Sequence, residues 1–252
     1  MSQPVDFLPG QYRYLPGGFQ YSAAVQALPG HALERVTLDR PLPLAQGFER
    51  IEAHLRQLGR PTTALAAIEL RSPAPMSEPE FIAFNRVYVQ TLERWGLFRD
   101  DINPVARCNL IPEADKPAQP SLYAFSYTVP AAAARVGDFI TSGAAECPDR
   151  PNYHESIVRL GETSPDALRD KLRFALGDLE SRLVALGLGW ADVAQARLYT
   201  VHDLHHLMAS EWAARGALRG GLGWHWVRPP VQGLEIEIDA RRIGCERLLN
   251  LG

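Results

Sequence analysis

Apolar residues recur at helical spacing in four stretches of the chain and in short strand-like runs elsewhere. From Ala45 to Leu58, Phe48, Ile51, Leu55 and Leu58 fall three or four residues apart, and Gly59 follows. That spacing predicts an amphipathic helix ended by glycine. Glu78 to Trp95 predicts a second helix. Ser164-Pro165-Asp166 predicts the start of a third, with serine as cap and proline at the first helical position. Its apolar stripe, Leu168, Leu172, Leu176, Leu179, Leu183 and Leu186, runs to Gly187. "DLHHLMASEWAARGAL" predicts a fourth. Between the helices lie strand signals. Gln20–Ala27 and Ala32–Leu38, broken by Pro-Gly turns, predict a meander. "TTALAAIELRS", "PVARCNLIP" and "SLYAFSYTV" follow, then "DFITSGAAE", "WADVAQARLYTV", "LGWHWVR" and "GLEIEIDARRI".

The order repeats. Residues 1–130 and 131–252 both end strand, helix, strand, helix, strand, strand, with Pro130 and four alanines closing the first half. Internal repetition at this period predicts two tandem units. Each would be an α+β layer, a mixed sheet with two helices on one face. Composition agrees with such a protein. Of 252 residues 46% are hydrophobic and 22% charged, enough to build a core. A net charge of −3, with no Lys/Arg stripe, argues against nucleic acid. Three cysteines (Cys108, Cys147, Cys245), with no CxxC or Cys/His metal spacing, fit a reducing compartment. No secretory signal and no membrane-length apolar run are expected, so the expected location is cytoplasmic.

The candidate chemistry starts at "VARCNL", where Arg107 and Cys108 adjoin in an apolar strand. A guanidinium fork suits a carboxylate. The alternative is a strand-end arginine paired to Asp100 or Asp101. Side chains alternate along a strand, so Arg107 and Cys108 point opposite ways. Cys108 is then either a buried thiol or a nucleophile. Ser142-Gly143 either offers backbone N–H groups to a substrate or marks a plain turn. In "EIEID", Glu235, Glu237 and Asp239 share one face. Glu237 and Asp239 are expected in solvent, with Ile236 and Ile238 inward, while Glu235 borders a cleft as general base or joins them. His202 and His206 stand i,i+4 but lack a third ligand, so exposed imidazoles are expected rather than metal. Trp224 and Trp226 would wall a substrate or cap an interface.

Taken together, these motifs resemble the Rid (reactive intermediate deaminase) family, also called YjgF or endoribonuclease L-PSP. "FIAFNRVY", with Asn85 and Tyr88, resembles its second-helix motif, and "VARCNL" its arginine strand. "DFITSGAA" resembles its serine-glycine strand, and "RPPVQGLEIEIDA" its closing acidic strand. The resemblance implies two tandem Rid-like (chorismate mutase-like) units. It implies hydrolysis of an enamine or imine of a small carboxylated metabolite, with no metal or organic cofactor. Arg107 would hold the carboxylate, Ser142 and Gly143 would orient it, Glu235 would position water, and Cys108 and Trp224 would contact substrate. The first half lacks the acid and the second lacks the arginine, which implies either one composite site between them or one live and one dead site; the composite site is the one expected. Assembly into a homo-oligomer, a trimer of chains, is also implied. A non-catalytic metabolite-binding protein and a chorismate-cleaving enzyme are the alternatives.

Overall fold

The computed structural model describes residues 3–131 and 137–252. Residues 132–134, most of the alanines expected to close the first half, lie outside the described residues. The strands up to the middle of the chain are β1 (Val5–Phe7), β2 (Tyr12–Leu15), β3 (Ala24–Ala27), β4 (His31–Pro43), β5 (Leu65–Arg71), β6 (Ala106–Pro112) and β7 (Ser121–Pro130). After them come β8 (Phe139–Thr141), β9 (Ala144–Ala145), β10 (Gln195–Tyr199), β11 (Leu222–His225), β12 (Val227–Arg228), β13 (Glu237–Arg242) and β14 (Cys245–Leu249). The α-helices are α1 (Leu44–Gln57), α2 (Glu78–Arg94), α3 (Tyr153–Ser156) and α4 (Pro165–Ala185).

The caps explain the helix limits. Ser77 and Glu80 form a capping box that starts α2, and Gly96, at φ +73°, follows its end. Ser164 Oγ accepts from Ala167 N at 3.3 Å above Pro165. The expected fourth helix is a correction. His205 to Arg215 is a run of 3-10 and π turns. These irregular turns bury Trp212 completely beside Leu204 and Leu207, and hold Glu211 against Arg173 and Arg215. Packing outweighs helical periodicity there.

One sheet runs β12-β6-β5-β7-β4-β14; the other runs β1-β2-β3-β8-β13-β10-β11, with β9 also on β13. The inner orders match: β6-β5-β7-β4 in one, β11-β10-β13-β8 in the other, each opening with a parallel pair. Strands are exchanged across the expected boundary at residue 130. β3 pairs with β8, β14 with β4, and β12 with β6. Each sheet thus covers an edge with a strand from the other half, which removes unpaired backbone groups. Helices α1 and α2 pack on the first sheet, where Val36, Ile51, Tyr88 and Phe125 share a core. Helix α4 packs on the second with Leu172, Leu198 and Ile238. The two sheets meet face to face through Tyr12, Leu33, Ala66 and Ile140. No helix among the described residues is long and apolar enough to cross a membrane.

The layer between the sheets is charged. Glu69 accepts from Arg35 at 2.6 and 3.0 Å, from Arg197 at 2.9 Å and from Arg241 at 3.3 Å. Arg197 also forks onto Asp239 at 2.8 and 2.5 Å, and the Tyr199 hydroxyl donates to Asp239 at 2.8 Å. Burial raises the Glu69 pKa, but Arg197 and Arg35 more than offset this and hold it well below the usual carboxylate range. A carboxylate with a depressed pKa stabilises the fold above its unfolded pKa, and the effect fades as pH falls through the folded value. Glu69→Gln leaves three buried guanidinium groups short of charge, so it should cost about 3–5 kcal/mol. Urea denaturation at neutral pH checks this, and the deficit should shrink in acid.

Candidate active site

The site is built where the two halves touch. β6 exposes an edge at residues 105–107, and segments of the other sheet dock there. Ser22 N donates to Val105 O at 3.0 Å, Arg107 N to Ser142 Oγ at 2.8 Å, and Gly143 N to Arg107 O at 3.3 Å. Ser142 Oγ in turn donates to Ser22 O at 2.5 Å, and Ser142 N to Ala23 O at 2.9 Å. Both N–H groups of the Ser142-Gly143 pair are therefore occupied. The expectation that they orient substrate is corrected: the pair is a clamp between the halves.

Arg107 and Cys108 do point opposite ways. The Arg107 guanidinium enters an aromatic box from α2 and the loop before β3. Its centre lies 4.8 Å from the Tyr88 ring, 5.3 Å from Tyr21 and 5.5 Å from Phe81. Nη1 donates to Asn85 Oδ1. Buried Arg35, Arg182, Arg197 and Arg241 each pair with a carboxylate. Arg107 is only 4% exposed, yet among the described residues no carboxylate forms an ion pair with it. Asp100 and Asp101 pair with Arg99 and Arg86 instead. Burial pulls the Arg107 pKa down, so its charge is held at a cost that an anion would relieve. Three more buried polar atoms near it lack hydrogen-bond partners among the described residues: Asn85 Nδ2, Tyr88 Oη and Asn109 Nδ2. Orphaned groups converging on one buried cation mark a ligand position.

Glu237 faces this position across the joint. Glu146 fixes the approach to β13. Buried against Lys171 at 3.3 Å, it accepts from Glu235 N at 2.6 Å and Ile236 N at 3.1 Å. Ile236 and Ile238 then face α4, while Glu237 and Asp239 face the other sheet. The expectation that Glu237 and Asp239 are solvated is corrected. They share a face as expected, but a second sheet covers it, leaving them 5% and 1% exposed. Glu237 Oε1 accepts from Cys108 Sγ at 3.3 Å. Burial, reinforced by Asp239, pushes the Glu237 pKa up to about 8, against the hydrogen bond from Cys108 and the charge of Arg107. Burial also raises the Cys108 pKa well above its usual value, so it remains a thiol donor rather than a nucleophile.

Three adjoining cavities run outward from here. The innermost, about 30 Å³, is lined by Arg107, Asn109, Gly143, Glu237, Tyr21 and Phe81. The next, about 40 Å³, shares Tyr21, Phe81, Gly143 and Glu237 and adds Asp149, Cys147 and Tyr153. A vestibule of about 220 Å³, with Phe19, Gln20, Ile82 and Arg150, leads outward past Asp149 and Tyr153. The structure thus brings Arg107, Gly143 and Glu237 together, with Ser142 and Cys108 behind them.

Glu235 and Trp224 lie elsewhere. Glu235 meets His202 at 2.7 Å and Arg228 at 3.8 Å, and does not line these cavities. Trp224 packs on the α4 core and stacks with His205 at 4.7 Å, while Trp226 is 64% exposed. Among the described residues no group of three or more His, Cys, Asp or Glu is placed to hold a metal ion. Sequence reasoning missed Tyr21, Asn109, Asp149 and Tyr153. Asn109 follows from strand parity with Arg107, but the "CPDRP" loop carries no signal of its own.

Residues 4–247 match the family model described as 2-aminomuconate deaminase CnbZ. The chain belongs to that family. A 2-amino-5-chloromuconate deaminase of Comamonas testosteroni is 51% identical over 251 residues, covering 99% of this chain and 100% of the relative. This membership decides among the three readings of the sequence: the chain is a Rid-like deaminase of an enamine or imine of a carboxylated metabolite. Among solved structures, a chorismatase is similar with a TM-score of 0.46 and 11% identity over 87% of this chain and 77% of its own. The YjgF gene product of E. coli has a TM-score of 0.30 and 20% identity over 44% of this chain and 84% of its own.

In this CnbZ-family deaminase the fit of Glu237 against the turn is tight. A Cβ added at Gly143 would stand 1.8 Å from Glu237 Oε1. Gly143→Ala must therefore displace the carboxyl tip, and a misplacement of about 1 Å costs up to about a hundredfold in rate. Steady-state kinetics should show kcat falling by about that factor while circular dichroism stays unchanged.

Proposed function

We propose that the chain hydrolyses the carbon–nitrogen bond of a 2-aminomuconate-type enamine, a conjugated six-carbon chain with a carboxylate at each end. The observation that carries this reading is Arg107, a buried cation without a carboxylate partner among the described residues, which opens on the same cavity as Glu237. Arg107, with the unpartnered amides of Asn85 and Asn109, takes the carboxylate next to the amine-bearing carbon. The conjugated chain extends past Phe81 into the vestibule, whose walls include Phe19 and Ile82. Arg150 lines that vestibule, its guanidinium hydrogen-bonded to Ser156 Oγ at 3.1 and 3.4 Å, and takes the distal carboxylate in this reading.

The chemistry needs an acid and then a base. With its pKa pushed up to about 8, Glu237 is mostly protonated at neutral pH. It delivers its proton to a carbon of the conjugated system, and the nitrogen becomes an iminium. Water attacks the adjacent electrophilic carbon, and the carbinolamine collapses to a ketone and ammonia. In that collapse the Glu237 carboxylate recovers a proton from the hydroxyl. Arg107 holds the reacting carbon in place throughout, so positioning supplies much of the rate.

The three cysteines are free thiols, which supports the cytoplasm as the site of action. A trimer of chains is proposed as the assembly; exposed Trp226, and Leu248 on edge strand β14, support a self-association surface. Sedimentation equilibrium showing a lone 27.9 kDa species would refute that assembly.

Kinetics with 2-aminomuconate test the reaction. Arg107→Ala should raise KM about ten- to a hundredfold, because a charge-assisted bond is worth roughly 1.5–3 kcal/mol. Arg107→Lys should recover only part of this, since it lacks the fork. Glu237→Gln should lower kcat with KM nearly kept. As an acid, Glu237 must be protonated, so the parent's kcat should fall as pH rises through about 8. Parental kcat in Glu237→Gln would remove it from the mechanism.

A further inference from the structure

Glu237 accounts for the proton given to carbon and the one recovered from the hydroxyl, which leaves the proton shed by the attacking water to a second group; the cavity holds one. We propose that Tyr21 and Asp149 form the base arm of the reaction, Tyr21 passing protons between the reacting centre and Asp149. Asp149 in turn exchanges them with solvent through a separate pocket on its far side. This rests on the reading of the cavity as the deamination chamber.

The geometry has three parts. Tyr21 lines both inner cavities together with Glu237. Its hydroxyl donates to Asp149 Oδ1 at 2.6 Å, which leaves the phenol oxygen as an acceptor for water or a substrate N–H. Asp149 lines the middle cavity, and it also lines an outward pocket of about 300 Å³ with Asp178, Ser181 and Arg182. It is thus a wall common to the chamber and to that second pocket. Arg182 holds it in place: Nη2 donates to Asp149 Oδ2 at 3.3 Å and to Asp178 Oδ2 at 2.6 Å. Nη1 of the same arginine donates to the carbonyls of Ala23, Ser142 and Gly143 at 3.4, 3.0 and 3.3 Å. The carboxylate, the tyrosine and the Ser142-Gly143 clamp are therefore one rigid unit.

The proton inventory closes. Glu237 gives its proton to carbon, forming the iminium. Water's oxygen bonds to the iminium carbon while its proton passes to the Tyr21 oxygen and the Tyr21 proton to Asp149. The same chain run backwards protonates the carbinolamine nitrogen. The C–N bond then breaks toward ammonia as Glu237 removes the hydroxyl proton and the C=O forms. Both acids end as they began, with one water consumed and one ammonia released. Burial raises the Asp149 pKa, with Arg182 and the Tyr21 hydrogen bond opposing, which suits it to accept and return a proton. The groups facing it are Tyr21, Arg182 and Asp178 of α4, Tyr153 of α3 and Arg107 of β6, with Cys147 and Arg150 beside it in the chain.

The test uses the full chain, 2-aminomuconate, and the variants Tyr21→Phe, Asp149→Ala and Glu237→Gln. Tyr21→Phe deletes one hydroxyl and keeps the ring beside Arg107, so it decides the matter even if Asp149→Ala fails to fold. It should lower kcat about a hundredfold, within the range for general acid–base groups, with KM changed less than about threefold. The acidic limb of the pH–kcat profile, where Asp149 becomes protonated, should vanish. Formate should restore Asp149→Ala at least about tenfold through the outward pocket, and should not restore Tyr21→Phe. Parental kcat and pH profile in Tyr21→Phe, or no rescue of folded Asp149→Ala by formate, overturns the relay. If Glu237→Gln is impaired in that same experiment, the chamber reading stands and only the relay falls. If the parent is inactive, or Glu237→Gln keeps parental kcat, the chamber reading falls and takes the relay with it.

Discussion

Three hydrogen bonds on the edge of β6 hold the candidate site together. Val105 O, Arg107 N and Arg107 O are satisfied by Ser22, Ser142 and Gly143, all from segments allied with the other sheet. A strand edge left bare would be costly, so the docking is strongly favoured. Once it forms, the geometry has little freedom. The peptide that carries Arg107 is fixed against the turn that carries Gly143, and Gly143 lies directly under the Glu237 carboxyl. Arg107 and Glu237 come from different halves, yet their relative position is set by backbone bonds rather than by flexible side chains. Exchange of β3, β12 and β14 across the halves locks the same arrangement from further out.

A second consequence of face-to-face sheets is an interior that separates charges by purpose. Around Glu69, arginines and carboxylates neutralise one another, which keeps Glu69 ionised and the layer stable. A short way along the same interface, Arg107 and Glu237 are left unmatched. There burial dominates: one group stays charged at a cost and the other is pushed toward its neutral form. Both states suit an enamine substrate, which brings an anion for the first and needs a proton from the second. Cys108, from its neighbouring position on β6, tunes the acid with a single weak hydrogen bond.

Much of this was legible in the sequence, for physical reasons. The stripes of α1, α2 and α4 appear because each helix buries one face on one sheet. Arg107 stood out because a guanidinium in an apolar strand demands a partner. Complementary losses in the two halves pointed to a shared site or to one live and one dead site, and the fold sets Arg107 and Glu237 on the walls of one cavity. Glu237 was misjudged because alternation says which residues share a face but not what covers it. A single sheet would leave Glu235, Glu237 and Asp239 in water, whereas here a second sheet covers two of them and leaves Glu235 with His202. The turns from His205 to Arg215 and the returning strand β14 were missed because long-range packing decides them. Asp149 sits in a loop with no periodicity, so only three-dimensional proximity to Tyr21 gives it meaning.

Above all, Glu237, buried opposite Arg107 of the other half, should be protonated at neutral pH. Difference infrared spectroscopy reads this directly, since a protonated carboxyl has a carbonyl stretch that an ionised one lacks. Across a pH titration of the parent and of Glu237→Gln, the parent should show a carboxyl band at pH 7. That band should be lost with a midpoint near pH 8 and be missing from the variant. A parent indistinguishable from the variant above about pH 5, with Glu237 titrating near the ordinary glutamate value of about 4.3, would contradict it.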